Sequence, residues 1–433
     1  MWSGTGKNMR KLYVNIEICG KTTFAGIIEG NDSSDAVFSY ADEYLENPEA
    51  RPVSISLPLQ KEAFSPVSTR NYFEGLLPEG FLKMTVAQRM RADESDYLSI
   101  LSGLGRECLG AITIYDETDA DVTPSYEHLS MDQIREIARE GATWSVQLVT
   151  KAHLSLAGAS GKVGLYYDDD NMSWYLPMGN APSTHIVKQS HVRLDSIVTN
   201  EQLALNTASL LGITVPESNI INTGNGGEDE VLFATKRYDR VISKDNQHSI
   251  NGLKVPSRLH QEDFAQAMGI ASINKYENAD GHHMRDMFAI IRKYSGNPIE
   301  DQQKLWDIIV FDYLIGNTDN HIKNISLLYG ENLKTIRLAP AYDIISTAVY
   351  ESSTRDMAFN IGGEISLDRI NRDSFKVAAK ECGLGEKIAM NRFDRLSSGF
   401  EKALDTAADK LTAQGFEKAV YLRDRIKEQR INQ

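Results

Sequence analysis

From Lys11 the chain alternates apolar and polar residues. KLYVNIEICG, a turn and TTFAGIIEG show the period-two pattern of two short strands joined by a tight connection. PVSISLPLQ, from Pro52 to Gln60, alternates in the same way and predicts another strand, closed by Pro58. Between 71 and 102 the spacing becomes helical, with apolar positions at Phe73, Leu76, Leu77, Phe81, Val86, Leu98 and Leu101. Glycine-punctuated GLGRECLGAITIYDE returns to a strand. Polar TDADVTPSYEHLS, containing Pro124, then marks a domain boundary near Ala120.

The stretch from 150 to 240 has its own order. HLSLA reads as a short strand and GASGK as a small-residue loop. VGLYY and MSWYLP flank DDDN as a hairpin, and THIVKQ is a further strand. A helix follows, with Thr199 and Gln202 at the spacing of a capping box and Leu203, Thr207, Leu210 and Leu211 on one face. ESNIINTG and VLFATKRYDR form a second hairpin. Beyond Arg240 the pattern is mostly helical, through 261–271, 283–294, 302–315 and 373–430. One interruption matters: TDNHIKN, the hairpin SLLYG–EN–LKTIRL, then APAYDIIST. No repeat or low-complexity segment is present.

Composition narrows the function classes. The 433 residues are 41% hydrophobic and 24% charged, an ordinary globular balance sufficient for two or three domains. A net charge of −14 argues against a global attraction to nucleic acid or an anionic membrane. Cys19, Cys108 and Cys382 have neither metal-ligand nor redox spacing, which fits a reducing cytosol. No apolar run approaches the length of a membrane span, the start MWSGTGKNMRK has no signal-type apolar region, and Met9 is a candidate natural start. The expectation is a cytoplasmic protein with no membrane part.

The candidate chemistry begins with tests that fail. GASGKV looks like a phosphate loop, but Leu156 stands where the P-loop needs glycine and Val163 where it needs Ser or Thr. The dinucleotide fingerprint fails too, since only Gly158 and Gly161 are present. Small residues between two strands can still let backbone N–H groups approach phosphate oxygens. The stronger constellation is Asp319-Asn-His-Ile-Lys-Asn324, followed by Asp343 beyond a hairpin. Protein kinases use Asp-x-x-x-x-Asn in their catalytic loop, the Asp taking the acceptor hydroxyl's proton and the Asn holding Mg²⁺. A metal-bound triphosphate needs hard oxygen ligands, and Mg²⁺ takes one or two carboxylates. Order along the chain strengthens the motif. Lys188 lies on the strand after the small-residue loop, where a kinase places its phosphate-pairing lysine, and Glu201 begins the next helix as its ion-pair partner. Loop, lysine, helix glutamate, hairpin, Asp-x4-Asn, hairpin and Asp follow the kinase order. The fold class this predicts is α+β: a bilobal protein-kinase-like fold.

At this point the sequence resembles the HipA family of toxins, the Ser/Thr protein kinases of bacterial type II toxin–antitoxin systems. The resemblance is carried by RPVSISLPLQ, FEGLLPEG, LGRECLGAITIYDE, LSLAGASGK, STHIVK, TNEQLAL, ATKRYDR, HQEDFAQAMGI, LIGNTDNHIKNISLL and AYDIIST. It implies an amino-terminal α/β subdomain over 9–120, a kinase N-lobe over 121–240 and a mostly helical C-lobe with the catalytic loop over 241–433. It implies ATP and Mg²⁺ as cofactors, Asp319 as general base, and Asn324 and Asp343 as Mg²⁺ ligands. Lys188 would bind phosphate beside Glu201, under the loop Ala157, Gly158, Ala159, Ser160, Gly161 and Lys162. The backbone of Lys236, Arg237 and Tyr238 would hold adenine, with Asp239 near the ribose and His321 within reach of a phosphate. Ser155 matches a serine that such kinases phosphorylate on themselves. The implied partners are a HipB-like DNA-binding antitoxin and a protein substrate, possibly an aminoacyl-tRNA synthetase.

Two departures from the family pattern qualify this. AGASGK stands where family members often read AGAQEK. GGEISLDRINRDSF has only Arg369 and Arg372, offset by Glu364, Asp368 and Asp373, so operator DNA is expected to be reached only through the antitoxin. The competing classes are a small-molecule or lipid kinase and a catalytically weak kinase-fold co-repressor. The complete set Lys188, Asp319, Asn324 and Asp343 argues against the co-repressor, which has no need of it.

Overall fold

The computed structural model describes residues 9–117, 123–140, 161–190, 194–242, 248–278 and 281–431. The alternating amino-terminal segments become β1 (Arg10–Ile18) and β2 (Lys21–Gly30), and Cys19 and Gly20 between them both have positive φ. Two such residues give the primed turn whose twist matches paired strands. With β3 (Val37–Tyr40) and β4 (Ile112–Tyr115) they form an antiparallel sheet in the order β3-β2-β1-β4.

Two expectations for this region fail. Pro52–Gln60 is not a strand; it makes only an isolated bridge between Ser54 and Leu57. Its backbone bonds to side chains instead: Tyr40 Oη accepts from the Val53 N–H and donates to the Leu57 carbonyl, and Glu262 accepts from the Ile55 N–H. The helical stretch 71–102 is broken into Pro66–Phe73, a 3₁₀ turn Glu74–Leu76, Gly80–Met90 and Tyr97–Leu104. Pro78 follows the 3₁₀ turn, and the Asp96 side chain caps a new start by accepting from the Ser99 N–H.

A second antiparallel sheet has six strands in the order β5-β7-β6-β8-β10-β9. They are β5 (Ser125–Leu129), β6 (Lys162–Asp168), β7 (Ser173–Met178), β8 (His185–Gln189), β9 (Ser218–Asn222) and β10 (Val231–Lys236). Helix Met131–Glu140 buries Ile134 and Ile137 against it in a small separate core. The helix expected after β8 spans Ile197–Leu210, two residues ahead of its supposed cap. Ser196 is its N-cap, while Thr199 and Gln202 are buried within it. Wedged between the sheet and the carboxy-terminal helices, it is buried on most sides.

The rest is mostly helical. Gln261–Asp263 is a strand, not the start of a helix; it pairs with Ser326–Tyr329, which pairs with Ile336–Leu338. Helix Phe264–Met268 then starts at a capping box made by Asp263 and Gln266. The stretch 373–430 is three helices, Arg372–Glu381, Glu386–Ala413 and Lys418–Ile431, separated at Gly383, Gly385 and Gly415. One apolar core runs without interruption from β1 and β2 through Phe264 to Trp306 and Phe400, so the amino-terminal sheet packs directly on the helical lobe. This fixes the segment that carries the Asp-x4-Asn motif. Helix Pro298–Ile315 ends at Gly316, whose φ is +74°, and the chain turns into the segment from Asn317 to Asn324.

Candidate active site

Between the six-stranded sheet and the three-stranded one lies a cleft of about 930 Å³, counting its open mouth. Apolar Leu109, Ile186 and Leu205 line part of it, and Lys162, Lys188, Glu201, His321, Asn324 and Asp343 converge there too.

Lys188 is the centre of the charged wall. Its Nζ donates to Glu201 Oε1 at 2.7 Å and to Asp343 Oδ1 at 2.6 Å. Lys162 lies directly across from it in the β6–β8 pair. The small-residue loop therefore ends in a second buried lysine facing the same cleft. Burial acts to raise the Asp343 carboxyl, but the Lys188 and Lys162 charges outweigh it and hold Asp343 well below the usual carboxylate range. Glu201 has a weaker share of Lys188, and burial pushes it up to about 7. Burial pulls Lys162 down to about 8, with Asp343 opposing. Asp343 also has φ +58°, a left-handed conformation uncommon for a non-glycine residue. Such strain persists only where the surroundings impose it, and it clusters at functional sites.

The catalytic-loop residues assemble below. Asp319 is half exposed at the mouth, its Oδ1 accepting from the Tyr276 hydroxyl. Asn324 donates its amide N–H to the Asp319 carbonyl at 2.9 Å, which leaves the amide oxygen as its group for a metal. His321 is buried, and its Nε2 lies 3.9 Å from Asp319 Oδ1. Burial and then Lys275 hold its imidazole down to about 3, so it is neutral at physiological pH. Among the described residues its buried Nδ1 has no hydrogen-bond partner, which leaves that atom available to a ligand.

Lys236, Arg237, Tyr238 and Asp239 all line the cleft, and several of their polar groups are engaged within the protein. The N–H groups of Lys236 and Arg237 donate to the carbonyls of Glu217 and Thr184. Tyr238 lines the cleft, with its hydroxyl bonded to Gln261. Asp239 lines the cleft, with its carboxylate engaged within the protein. Both its oxygens are taken, by Arg237 Nε and Nη2, the Gly110 N–H and Gln261 Nε2. The Arg237 side chain likewise turns away into Glu107, Ser183 and the Cys108 carbonyl. Both belong to a buried ion cluster joining the lobe to the amino-terminal subdomain. The isolated sequence could not show this, because Glu107 lies 130 residues from Arg237.

Other cleft residues were not anticipated. Glu79, just after Pro78 in the amino-terminal subdomain, reaches the cleft and accepts from Lys275 at 2.6 Å. Lys323, inside the Asp-x4-Asn motif, donates to Asp263 at 2.7 Å and to the Gly75 carbonyl at 3.1 Å. Only the position of Lys323 within the motif was a usable signal. Of the expected loop, Gly161 and Lys162 are described; Ser155, Ala157, Gly158, Ala159 and Ser160 lie outside the described residues.

Comparisons with known proteins give the family and the fold. A family model described as the HipA-like C-terminal domain matches residues 154–404, and one for the HipA N-terminal domain matches residues 16–115. The candidate kinase Y4mE of Sinorhizobium fredii is 30% identical over 377 residues, which is 86% of each chain. The serine/threonine-protein kinase toxin HipA of Shewanella oneidensis is 24% identical over 367 residues, 82% of this chain and 80% of that one. Among solved structures, the complex of HipA, HipB and operator DNA from Shewanella oneidensis MR-1 aligns over 95% of both chains with a TM-score of 0.75. At 18% identity that match shows a shared fold.

Proposed function

The chain belongs to the HipA family of kinases, and on that premise we propose that it transfers the γ-phosphate of Mg²⁺–ATP to a Ser or Thr hydroxyl of a protein, as the toxin of a toxin–antitoxin pair. The observation that carries the reading is the convergence on one cleft of Lys188, Glu201 and Asp343 from above and Asn324 and His321 from below, with Asp319 against the last two. One carboxylate and one amide oxygen, Asp343 and Asn324, form a donor set that suits Mg²⁺, which keeps several waters. The metal, when bound, neutralises charge on the phosphates. Lys188 and Lys162 supply point charges for phosphate oxygens, His321 Nδ1 a buried polar atom for the same group, and Tyr238 backbone and side chain a wall for the base. Asp319 takes the proton of the acceptor hydroxyl.

The proposed partner is a basic, HipB-like antitoxin that contacts operator DNA. Arg369 and Arg372, the basic residues of the tail loop, are paired with Glu364 at 2.9 Å and Asp394 at 2.8 Å, so neither is an unengaged charge for phosphate. Among the described residues, no helix is long and apolar enough to cross a membrane.

Incubation with labelled Mg²⁺–ATP and cell extract tests the activity and identifies what acquires phosphate. Asp319→Ala should lose ~10²–10⁴-fold in transfer while keeping its melting temperature, because the residue is half exposed on a loop. Wild-type turnover in that variant contradicts the assignment. We also propose that Ser155 is the self-modified residue. Phosphate there adds about −1.5 to −2 charge beside a loop that must hold ATP phosphates, which would repel them. Peptide mass spectrometry must find phosphate on Ser155, not only on Ser160, after prolonged incubation. The modified protein must also bind ATP less tightly.

A further inference from the structure

Tyr276 is not part of the kinase pattern, yet its hydroxyl donates to Asp319 Oδ1. That oxygen lies at the cleft mouth, where an acceptor hydroxyl has to donate if Asp319 is the base. The contact is built. Tyr276 sits in a strap, 272–278, pinned on both sides. Lys275 on one side is bonded to Glu79 of the amino-terminal subdomain at 2.6 Å. On the other, Glu277 accepts from the N–H groups of Asn360 and His283, and its own N–H donates to the Ala358 carbonyl. The ring stands edge-on to His321, with centroids 5.2 Å apart, under the Lys275 ammonium at 5.5 Å. Despite these contacts Tyr276 is 46% exposed, so no core packing requires its hydroxyl to lie where it does.

We propose that Tyr276 is a built-in occupant of the acceptor-hydroxyl subsite, a phenol held on the catalytic carboxylate that a Ser or Thr side chain must displace before transfer. The proposal rests on the reading of Asp319 as general base. While the phenol is in place, water and adventitious hydroxyls are kept off the base. A cognate protein can dislodge it with binding energy from contacts elsewhere, whereas water has none to use. Exposed Ile273, 87% accessible in the same strap, is an apolar point such a protein could engage. Because the strap is tied through Lys275 to Glu79, the amino-terminal subdomain helps set how firmly the subsite is closed. In the reaction that the phenol prevents, a water oxygen forms a bond to the γ-phosphorus and its proton passes to Asp319. The bond from that phosphorus to the bridging oxygen breaks, and ADP leaves.

The test uses the full chain and Tyr276→Phe, which keeps the ring and its packing on His321 but removes the donor. ADP release from Mg²⁺–ATP is measured without any protein acceptor, and phosphate incorporation is measured with dephosphorylated casein as a generic acceptor. Melting temperature and Mg²⁺–ATP affinity report folding. The expected result is a severalfold rise in hydrolysis and a lower KM for casein, with nucleotide affinity unchanged. An unchanged or slower rate in a folded, ATP-binding variant overturns the proposal. Asp319→Asn, alone and combined with Tyr276→Phe, separates the two ideas. If it abolishes transfer in both backgrounds and Tyr276→Phe alone gives no rise, the base stands and only the occupant idea falls. If the double variant keeps the rate of Tyr276→Phe, Asp319 is not the base and both fall.

Discussion

Two buried ion clusters flank the nucleotide cleft, and they are built differently. Behind the cleft, Glu17 and Glu107 of the amino-terminal subdomain meet Arg237, Asp239, Arg240 and Arg258. Three guanidinium forks satisfy the carboxylates from several sides and reach the Cys108 and Gly110 carbonyls as well. Burial would raise Glu107, but the three arginines bring it down to about 2. Inside the cleft, two lysines face two carboxylates, Asp343 is held low and Glu201 rises to about 7. Arginine's planar fork makes fixed multidentate pairs, whereas lysine is a mobile point charge that can exchange one oxygen for another. The first cluster is closed and holds two domains together. The second opens on a cleft, and the proposed function requires its pairs to exchange when phosphate and metal bind.

The largest expected effect is a break in the closed cluster. Glu107→Ala leaves three buried guanidinium groups without their shared acceptor. Removing one partner of a buried pair typically costs about 3–5 kcal/mol, mostly because the remaining charge is uncompensated. Urea denaturation should show that loss for Glu107→Ala and a much smaller one for Glu201→Gln, whose carboxyl is already near neutrality. A loss below about 1 kcal/mol for Glu107→Ala would erase the distinction between the two clusters.

Asp312 sharpens the comparison, because it is a buried carboxylate bonded to a neutral amide and not to a cation. It accepts from Asn317 Nδ2 at 2.8 Å, and the Asn317 side-chain oxygen in turn accepts from the Asp319 N–H at 3.2 Å. Burial raises its carboxyl to about 7, with the Asn317 bond opposing. The folded pKa lies above the unfolded one, so the neutral acid is favoured in the folded protein. Its contribution is fully present below about pH 4 and is lost as pH rises through 7. Asp312→Asn removes this titration. Relative to wild type, the variant should gain stability between pH 4 and 8, by up to about 4 kcal/mol. A wild-type-minus-variant difference that is flat with pH would mean that Asp312 is charged throughout.

The same contrast explains what could be read from the sequence. The order of Lys188, Glu201, Asp319, Asn324 and Asp343 along the chain was legible, and in the structure four of them line one cleft while Asp319 lies beside its residues His321 and Asn324. Paired strands were legible where alternation was long, as in β1 and β2. Pro52–Gln60 alternates just as well, but its backbone is satisfied by Tyr40 and Glu262 from distant segments, which no local pattern encodes. The buried pairing of the Arg237 and Asp239 side chains was missed for the same reason. The chain marks them as following a hinge strand, while their chemistry is set by Glu107 and Gly110. Glu79, Tyr276 and Lys323 complete the cleft through contacts 43 to 248 residues apart in sequence.

The smallest expected effect concerns exchange within the cleft. In the structure Lys188 is held by Asp343 at 2.6 Å, yet the proposed function needs Asp343 on the metal and Lys188 on phosphate. The two charges therefore compete until Mg²⁺–ATP separates them. Asp343→Ala frees Lys188 from one partner, leaving Glu201 at 2.7 Å. Without metal, this variant should bind ATP at least as tightly as wild type. With Mg²⁺ it should lose about tenfold, roughly 1.4 kcal/mol, because a hard ligand is gone. Lys188→Ala should weaken binding under both conditions, since the lysine meets phosphate whether or not metal is present. Calorimetry with and without Mg²⁺ reads all four cases. Equal losses for both variants in both conditions would mean that the lysine–carboxylate pair is as fixed as the arginine cluster behind it, and the proposed exchange would have to be abandoned.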